Sequence, residues 1–105
     1  MKNINQTPQP PYYAVIFTSL KSGHLENYAE EALRMENLVK SQPGYLGHES
    51  ASADIGITVS YWKDLESIEA WKKQKDHRLA QIQGKSSWYR QYKVRICKVE
   101  KEYGM

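Results

Sequence analysis

Apolar residues gather along the chain in short β-branched runs separated by stretches that repeat at three and four. Tyr12 to Leu20 (YYAVIFTSL) is β-branched and aromatic, and its apolar residues are consecutive rather than alternating, which predicts a first strand covered on both faces. Lys21 to His24 reads as a turn. Leu25, Tyr28, Ala29, Ala32, Met35, Leu38 and Val39 then predict a helix from about Leu25 to Ser41, with Glu26, Glu30, Glu31, Arg34 and Lys40 on its outer side. Pro43-Gly44 ends that helix. Strands follow from about Tyr45 to Ala53 and from Gly56 to Trp62, joined by a short hairpin connection.

Asp64 is placed to cap a second helix, because its carboxylate can accept from the free amides of the first turn. Leu65, Ile68 and Trp71 give that helix an apolar face. The pattern weakens near Asp76 and resumes through Leu79 and Ile82, which predicts a break in the helix, and Gly84 is suited to stop it. Lys85 to Gln91 reads as a connection carrying Trp88 and Tyr89. Tyr92 to Glu100 is the last strand, with Tyr92, Val94 and Ile96 on one face and Cys97 and Val99 on the other.

Strand, helix, strand, strand, helix, strand is the split βαβ order of an α+β, ferredoxin-like fold: a four-stranded antiparallel sheet with both helices on one face. One domain over residues 12–105 accounts for all of it. Residues 1–11 (MKNINQTPQPP) are polar and proline-rich, without periodicity, and read as a flexible arm. Strands with apolar residues on both sides need a second cover that the chain itself does not supply. A homodimer, sheet against sheet, follows from that pattern.

Composition narrows the chemistry. At 40% hydrophobic and 26% charged residues, the sequence is that of an ordinary globular domain. No apolar run approaches a membrane span and residues 1–11 lack a signal peptide's apolar stretch, so a cytoplasmic protein without a membrane partner is expected. Cys97 is the single cysteine, which excludes an internal disulfide and a cysteine-rich zinc site, and no two histidines share metal-ligand spacing. The net charge of +3 is densest from Lys72 to Arg78, a stretch that reads as a solvated helix face. The element order also serves RNA-recognition domains, but Gly56 to Trp62 lacks their basic-glycine-aromatic pattern, so no nucleic-acid partner is expected.

Pro43-Gly44-Tyr45-Leu46-Gly47, Val59-Ser60-Tyr61-Trp62 with Asp64, Ser67-Ile68-Glu69-Ala70-Trp71, His77, Gly84 ahead of Trp88-Tyr89, and Tyr92 with Arg95 together resemble the antibiotic biosynthesis monooxygenase domain family. The resemblance implies a dimeric α/β barrel and a pocket in each subunit between sheet and helices. It also implies one of two chemistries. Some proteins of this kind oxidise phenols with dioxygen and no cofactor, the substrate anion supplying the electron. Others bind haem and open its ring with a first-strand asparagine, a helix tryptophan and a histidine about three turns later. Here the first strand offers Val15 to Thr18 and the third position is Gln81, so a cofactor-independent oxygenase of a small aromatic or quinol-like substrate is expected. Haem binding or degradation, and a non-catalytic dimer that holds a small ligand, stand as alternatives. His77 is the candidate catalytic base, because imidazole exchanges a proton near neutral pH. Trp71, Trp88, Tyr89 and Tyr92 are the candidate substrate-binding residues.

Overall fold

The computed structural model of the chain describes residues 3–80 and 88–105. Its elements are β1 (Tyr12–Lys21), α1 (Tyr28–Val39), β2 (Tyr45–Ser52), β3 (Gly56–Trp62), α2 (Leu65–Ala80) and β4 (Tyr89–Val99). The strands form one antiparallel sheet in the order β2-β3-β1-β4. This is the α+β, ferredoxin-like fold that the pattern predicts. Gly84 lies outside the described residues, as does the rest of the segment between α2 and Trp88.

Both helices lie on one face of the sheet. Val39 of α1 and Ile68 of α2 close over Trp62, which is fully buried, with Tyr13, Val15, Tyr45 and Trp71 packed around them. Trp62 stacks on Trp71 at 6.4 Å between ring centres and meets Tyr45 edge-on at 5.4 Å. Its indole N–H donates to Ser60 Oγ at 2.9 Å, so the ring is buried without an unpaired donor. Two local devices hold this end together. The Ser67 backbone N–H donates to Asp64 Oδ1 at 2.7 Å, capping α2 as expected. Gly44 sits at φ 82°, its carbonyl accepts from the Lys63 N–H at 2.8 Å, and a Cβ there would run into the Ser67 side chain.

Four expectations need correction. α1 starts at Tyr28 rather than Leu25, because Asn27 adopts a left-handed conformation (φ 63°) from which a helix cannot continue backwards. Its inward stripe is Tyr28, Glu31, Met35, Leu38 and Val39, while Ala29 and Ala32 are exposed; Glu31, expected outside, is buried. α2 runs unbroken through Asp76, which forms an ion pair with Lys72 at 2.7 Å across one turn. β4 starts at Tyr89 rather than Tyr92, because an irregularity in its pairing with β1 brings three more residues into the strand.

The N-terminal arm shows single-residue anchors that no apolar pattern could announce. Asn5 donates from its backbone to Glu49 Oε2 at 2.9 Å and from its side chain to the Leu46 carbonyl at 3.1 Å. The Thr7 and Tyr12 hydroxyls both donate to Glu102. Among the described residues no helix is long and apolar enough to cross a membrane.

A candidate aromatic site under the second helix

The register of β4 on β1 builds the site. Phe17 pairs with Val94, Ser19 with Tyr92, Leu20 with Gln91, and Lys21 then with Tyr89, so Arg90 is the extra residue of a bulge. Side chains alternate faces along a strand, and a bulge resets the alternation. Tyr89 and Tyr92, three apart, therefore point to the same side as Phe17, the side that carries the helices. Phe17 meets Tyr89 edge-on at 5.5 Å and stacks on Tyr92 at 5.7 Å, and the two tyrosine rings are 6.0 Å apart.

α1 closes one side of this cluster. Tyr28, on its first turn, meets Trp88 at 5.4 Å and Tyr89 at 5.9 Å, both edge-on. The buried Trp88 indole donates to the Glu26 carbonyl at 2.8 Å, which fixes the approach to α1 against the start of β4. Burial is the main reason that the Tyr89 phenol holds its proton above the ordinary range, with the Tyr28 hydroxyl at 3.4 Å adding to it. Toward the sheet edge the cluster lies open. Tyr92, Val94 and Ile96 are 62, 43 and 52% exposed along the helix side of β4.

α2 supplies the polar groups. Ile68, Trp71, Lys75 and Arg78 follow one another at three, four and three, a single helix face. Its first two residues belong to the Trp62 core and its last two do not. Lys75 Nζ stands 5.9 Å from the centre of the Phe17 ring. Loss of solvent around Lys75 pulls its ammonium below the usual lysine range; Asp76 opposes that shift and Lys72 adds to it. Arg78 reaches across to α1, where its Nη2 lies 2.8 Å from Glu31 Oε1, and Arg34 Nη1 shares that oxygen at 2.8 Å. Glu31 is only 6% exposed, and its other oxygen, Oε2, is buried without a hydrogen-bond partner among the described residues. Leaving such an acceptor unpaired costs about 1–3 kcal/mol or more, so it calls for an explanation.

Of the predicted site residues, the structure brings Trp88, Tyr89 and Tyr92 into one cluster. Trp71 lies on the Trp62 core, one helical turn before Lys75. His77 is exposed on α2; two residues past Lys75 is a rotation of about 200° around the helix, away from the aromatic wall. Lys75 and Glu31 were missed, because a search for apolar periodicity assigns every charged residue to the outside. The signal that could have found them is phase: each continues its helix's inward stripe at the right spacing. No group of His, Cys, Asp or Glu able to hold a metal ion occurs among the described residues. A groove of about 220 Å³ lies elsewhere, lined by Thr18, Leu20, Gln91, Lys93 and Arg95 among others, and of the predicted site residues only Tyr92 borders it.

Comparison with known proteins gives four results. Residues 11–82 match the family described as antibiotic biosynthesis monooxygenase. The uncharacterized protein YqjZ of Bacillus subtilis is 47% identical over 104 residues, covering 97% of this chain and 91% of that protein. Among solved structures, SnoaB, a cofactor-independent oxygenase from Streptomyces nogalater, aligns with a TM-score of 0.69 at 10% identity over 89% of this chain and 97% of its own. A dimeric ferredoxin-like protein from an uncultured marine organism aligns with a TM-score of 0.68 at 14% identity, covering 90% of this chain and all of that one.

Proposed function

The chain belongs to the antibiotic biosynthesis monooxygenase family, and from that premise we propose that it oxidises a small phenolic or quinol-like aromatic with dioxygen and without a cofactor. The observation that carries this reading is Lys75, a lysine drawn under α2 to within 5.9 Å of the Phe17 ring centre, beside Tyr89 and Tyr92. Loss of solvent lowers its pKa, the direction that suits a lysine for work as a base. The aromatic wall holds the substrate ring. The neutral amine removes the phenolic proton, and the ammonium left behind pairs with the phenolate.

The phenolate ring then reduces dioxygen. A carbon–oxygen bond forms at the ring carbon para to the phenolate, the O–O bond breaks, and the ring becomes a quinone. The second oxygen leaves as water, taking the hydrogen lost from the ring and the proton held by Lys75, so one phenol and one dioxygen give one quinone and one water. A haem-based reading finds less support. His48 is hydrogen-bonded to Tyr45, and His24 and His77 are exposed, so these residues do not suit an iron porphyrin held by histidine near the wall.

An oxygen electrode with 1-naphthol, whose para carbon is free, tests the proposal. Lys75→Met should lower oxygen uptake by roughly 10²- to 10⁴-fold, the usual worth of a positioned base, while His77→Ala changes it by about threefold or less. The reverse result would move the base to His77. No uptake and no binding by the unaltered protein, for any phenol tried, would sink the reading. The same reading places a second copy of the chain on the sheet face away from the helices, where Ile16, Leu20 and Val59 are half-buried and Ile57 is 43% exposed. Sedimentation at micromolar concentration should give twice the chain mass, and a folded monomer there would remove the dimer.

A further inference from the structure

The groove of about 220 Å³ has a lining that packing does not explain. Lys93 pairs with Thr18 and Arg95 with Ile16, and these β1 residues alternate with Phe17, whose ring faces Lys75 of α2. Lys93 and Arg95 therefore stand on the sheet face away from the helices, the face on which the second copy is placed. They are two apart on one strand, about 7 Å along it, inside the Debye length of ordinary buffers. Thr18 and Gln91 add a hydroxyl and an amide to the groove, and Leu20 and Ile55 add apolar walls. Among the described residues no carboxylate lines the groove, and none forms an ion pair with either cation. Glu49 is the only acid in the four strands. It stands at the far end of the row Glu49, Val59, Ile16, Arg95, three strand spacings or about 14 Å away. Both its oxygens already accept, from the Tyr61 hydroxyl at 2.7 Å and the Asn5 N–H at 2.9 Å.

We propose that the groove binds a doubly charged oxyanion, a phosphate group, and that this anion lets two copies close on the face. Lys93 and Arg95 bring two positive charges to its two negative ones. The guanidinium fork can hold two phosphate oxygens at once, and the Thr18 hydroxyl and Gln91 amide can donate to others. A two-fold axis presents the same patch from each copy, so contact between the sheets withdraws two such pairs of cations from water. Charges withdrawn without partners oppose association. An anion in each groove removes that opposition, and whatever binds the pair of chains better than the single chain strengthens the pair. The coupling rests on the dimer reading; the anion site rests on the groove alone.

Two measurements on the full chain test it. The first is calorimetric titration with inorganic phosphate and with phenyl phosphate, at about pH 8, where both are largely dianions. The parent should bind them, and the double variant Lys93→Gln, Arg95→Gln should not. Both replaced residues are exposed, and circular dichroism checks that the variant folds. Tighter binding of phenyl phosphate would mark the ligand as a phosphate ester with its body along Leu20 and Ile55; equal binding would mark it as the free ion. No binding by the parent, or equal binding by the double variant, would overturn the site. The second measurement is sedimentation at matched ionic strength, in chloride alone or with about 10 mM phosphate. Phosphate should tighten the parent's dimer about tenfold or more, and the double variant should dimerise in chloride as tightly as the parent does in phosphate. A phosphate effect of the same size in both proteins would be a general salt effect and would overturn the coupling. So would a parent dimer indifferent to the anion. A parent that stays monomeric in every salt would remove the dimer reading and the coupling with it, while the titration still decides the site.

Discussion

The two ends of the layer between sheet and helices are made from the same materials and have become different things. Each end has tryptophan and tyrosine rings in or beside the sheet, met by residues of α1 and α2. At one end Trp62 is fully buried, its N–H is satisfied, and Val39, Ile68 and Trp71 complete an apolar enclosure. At the other, Tyr92 is 62% exposed, a lysine stands over Phe17, and a buried carboxylate oxygen goes unpaired. Packing explains every group at the first end. At the second it explains Trp88 and Tyr28 but not Lys75 or Oε2 of Glu31, and groups that a fold does not need are where function is sought.

The largest expected effect tests the core end. Trp62→Ala should cost about 3–5 kcal/mol, a large share of the roughly 5–15 kcal/mol that holds a domain together. Tyr92→Ala, at the exposed end of the other cluster, should stay within about 0.5 kcal/mol while weakening the binding of aromatic ligands. Urea unfolding of the two variants measures both. Equal costs would erase the distinction between a core end and a site end.

Gly44→Ala comes next, also at the core end. The left-handed backbone alone should cost about 1–2 kcal/mol, and the collision with Ser67 adds to it. Because Gly44 lies where β2 meets the start of α2, far along both helices from Lys75, ligand binding in the surviving folded protein should be unchanged. A variant as stable as the parent would show that the turn relaxes, and altered binding would show that the two ends are not independent.

Much of the core end was legible in the sequence, and little of the site end. β3 runs from Gly56 to Trp62 as its β-branched pattern predicts, and Asp64 caps α2 as its position predicts, because both depend on neighbours along the chain. The start of β4 could not be read in the same way. The bulge at Arg90 shifts the alternation by one, so Tyr89 and Tyr92 share a face that strict alternation would have denied them. The predicted break in α2 fails for a related reason. Apolar residues thin out at Lys72 to His77 because the inward positions there are held by Lys75 and Arg78, not because the helix stops. His77 drew attention as a titratable ring, yet the number of residues from Lys75 turns it outward. Trp88 was legible as an aromatic in a connection, but its hydrogen bond to the Glu26 carbonyl, 62 residues away, was not.

The smallest effect, and the one of opposite sign, belongs to Lys75. Replacing a half-buried lysine by methionine at neutral pH removes an ammonium that is poorly solvated where it stands. It leaves a flexible apolar chain whose sulfur can lie against Phe17. Lys75→Met should therefore melt no lower than the parent and up to a few degrees higher, at about 4–8 °C for each kcal/mol gained in a domain of this size. The sign of the pH dependence follows from linkage. The folded pKa lies below the ordinary 10.5, so between the two values the unfolded chain binds more protons than the folded one, and the parent's stability gains with rising pH. Below the folded value the lysine is charged in both states and the parent carries the whole penalty; above 10.5 it is neutral in both and the penalty is gone. Other lysines and tyrosines titrate in both proteins and cancel in the difference. Paired thermal melts from neutral pH to about pH 10 should thus show the variant's advantage shrinking as pH rises toward the ordinary lysine value. An advantage that widens with pH, or a variant less stable than the parent by the same margin throughout, would mean that Lys75 is a well-solvated surface charge. The site end would then lose the group on which its chemistry rests.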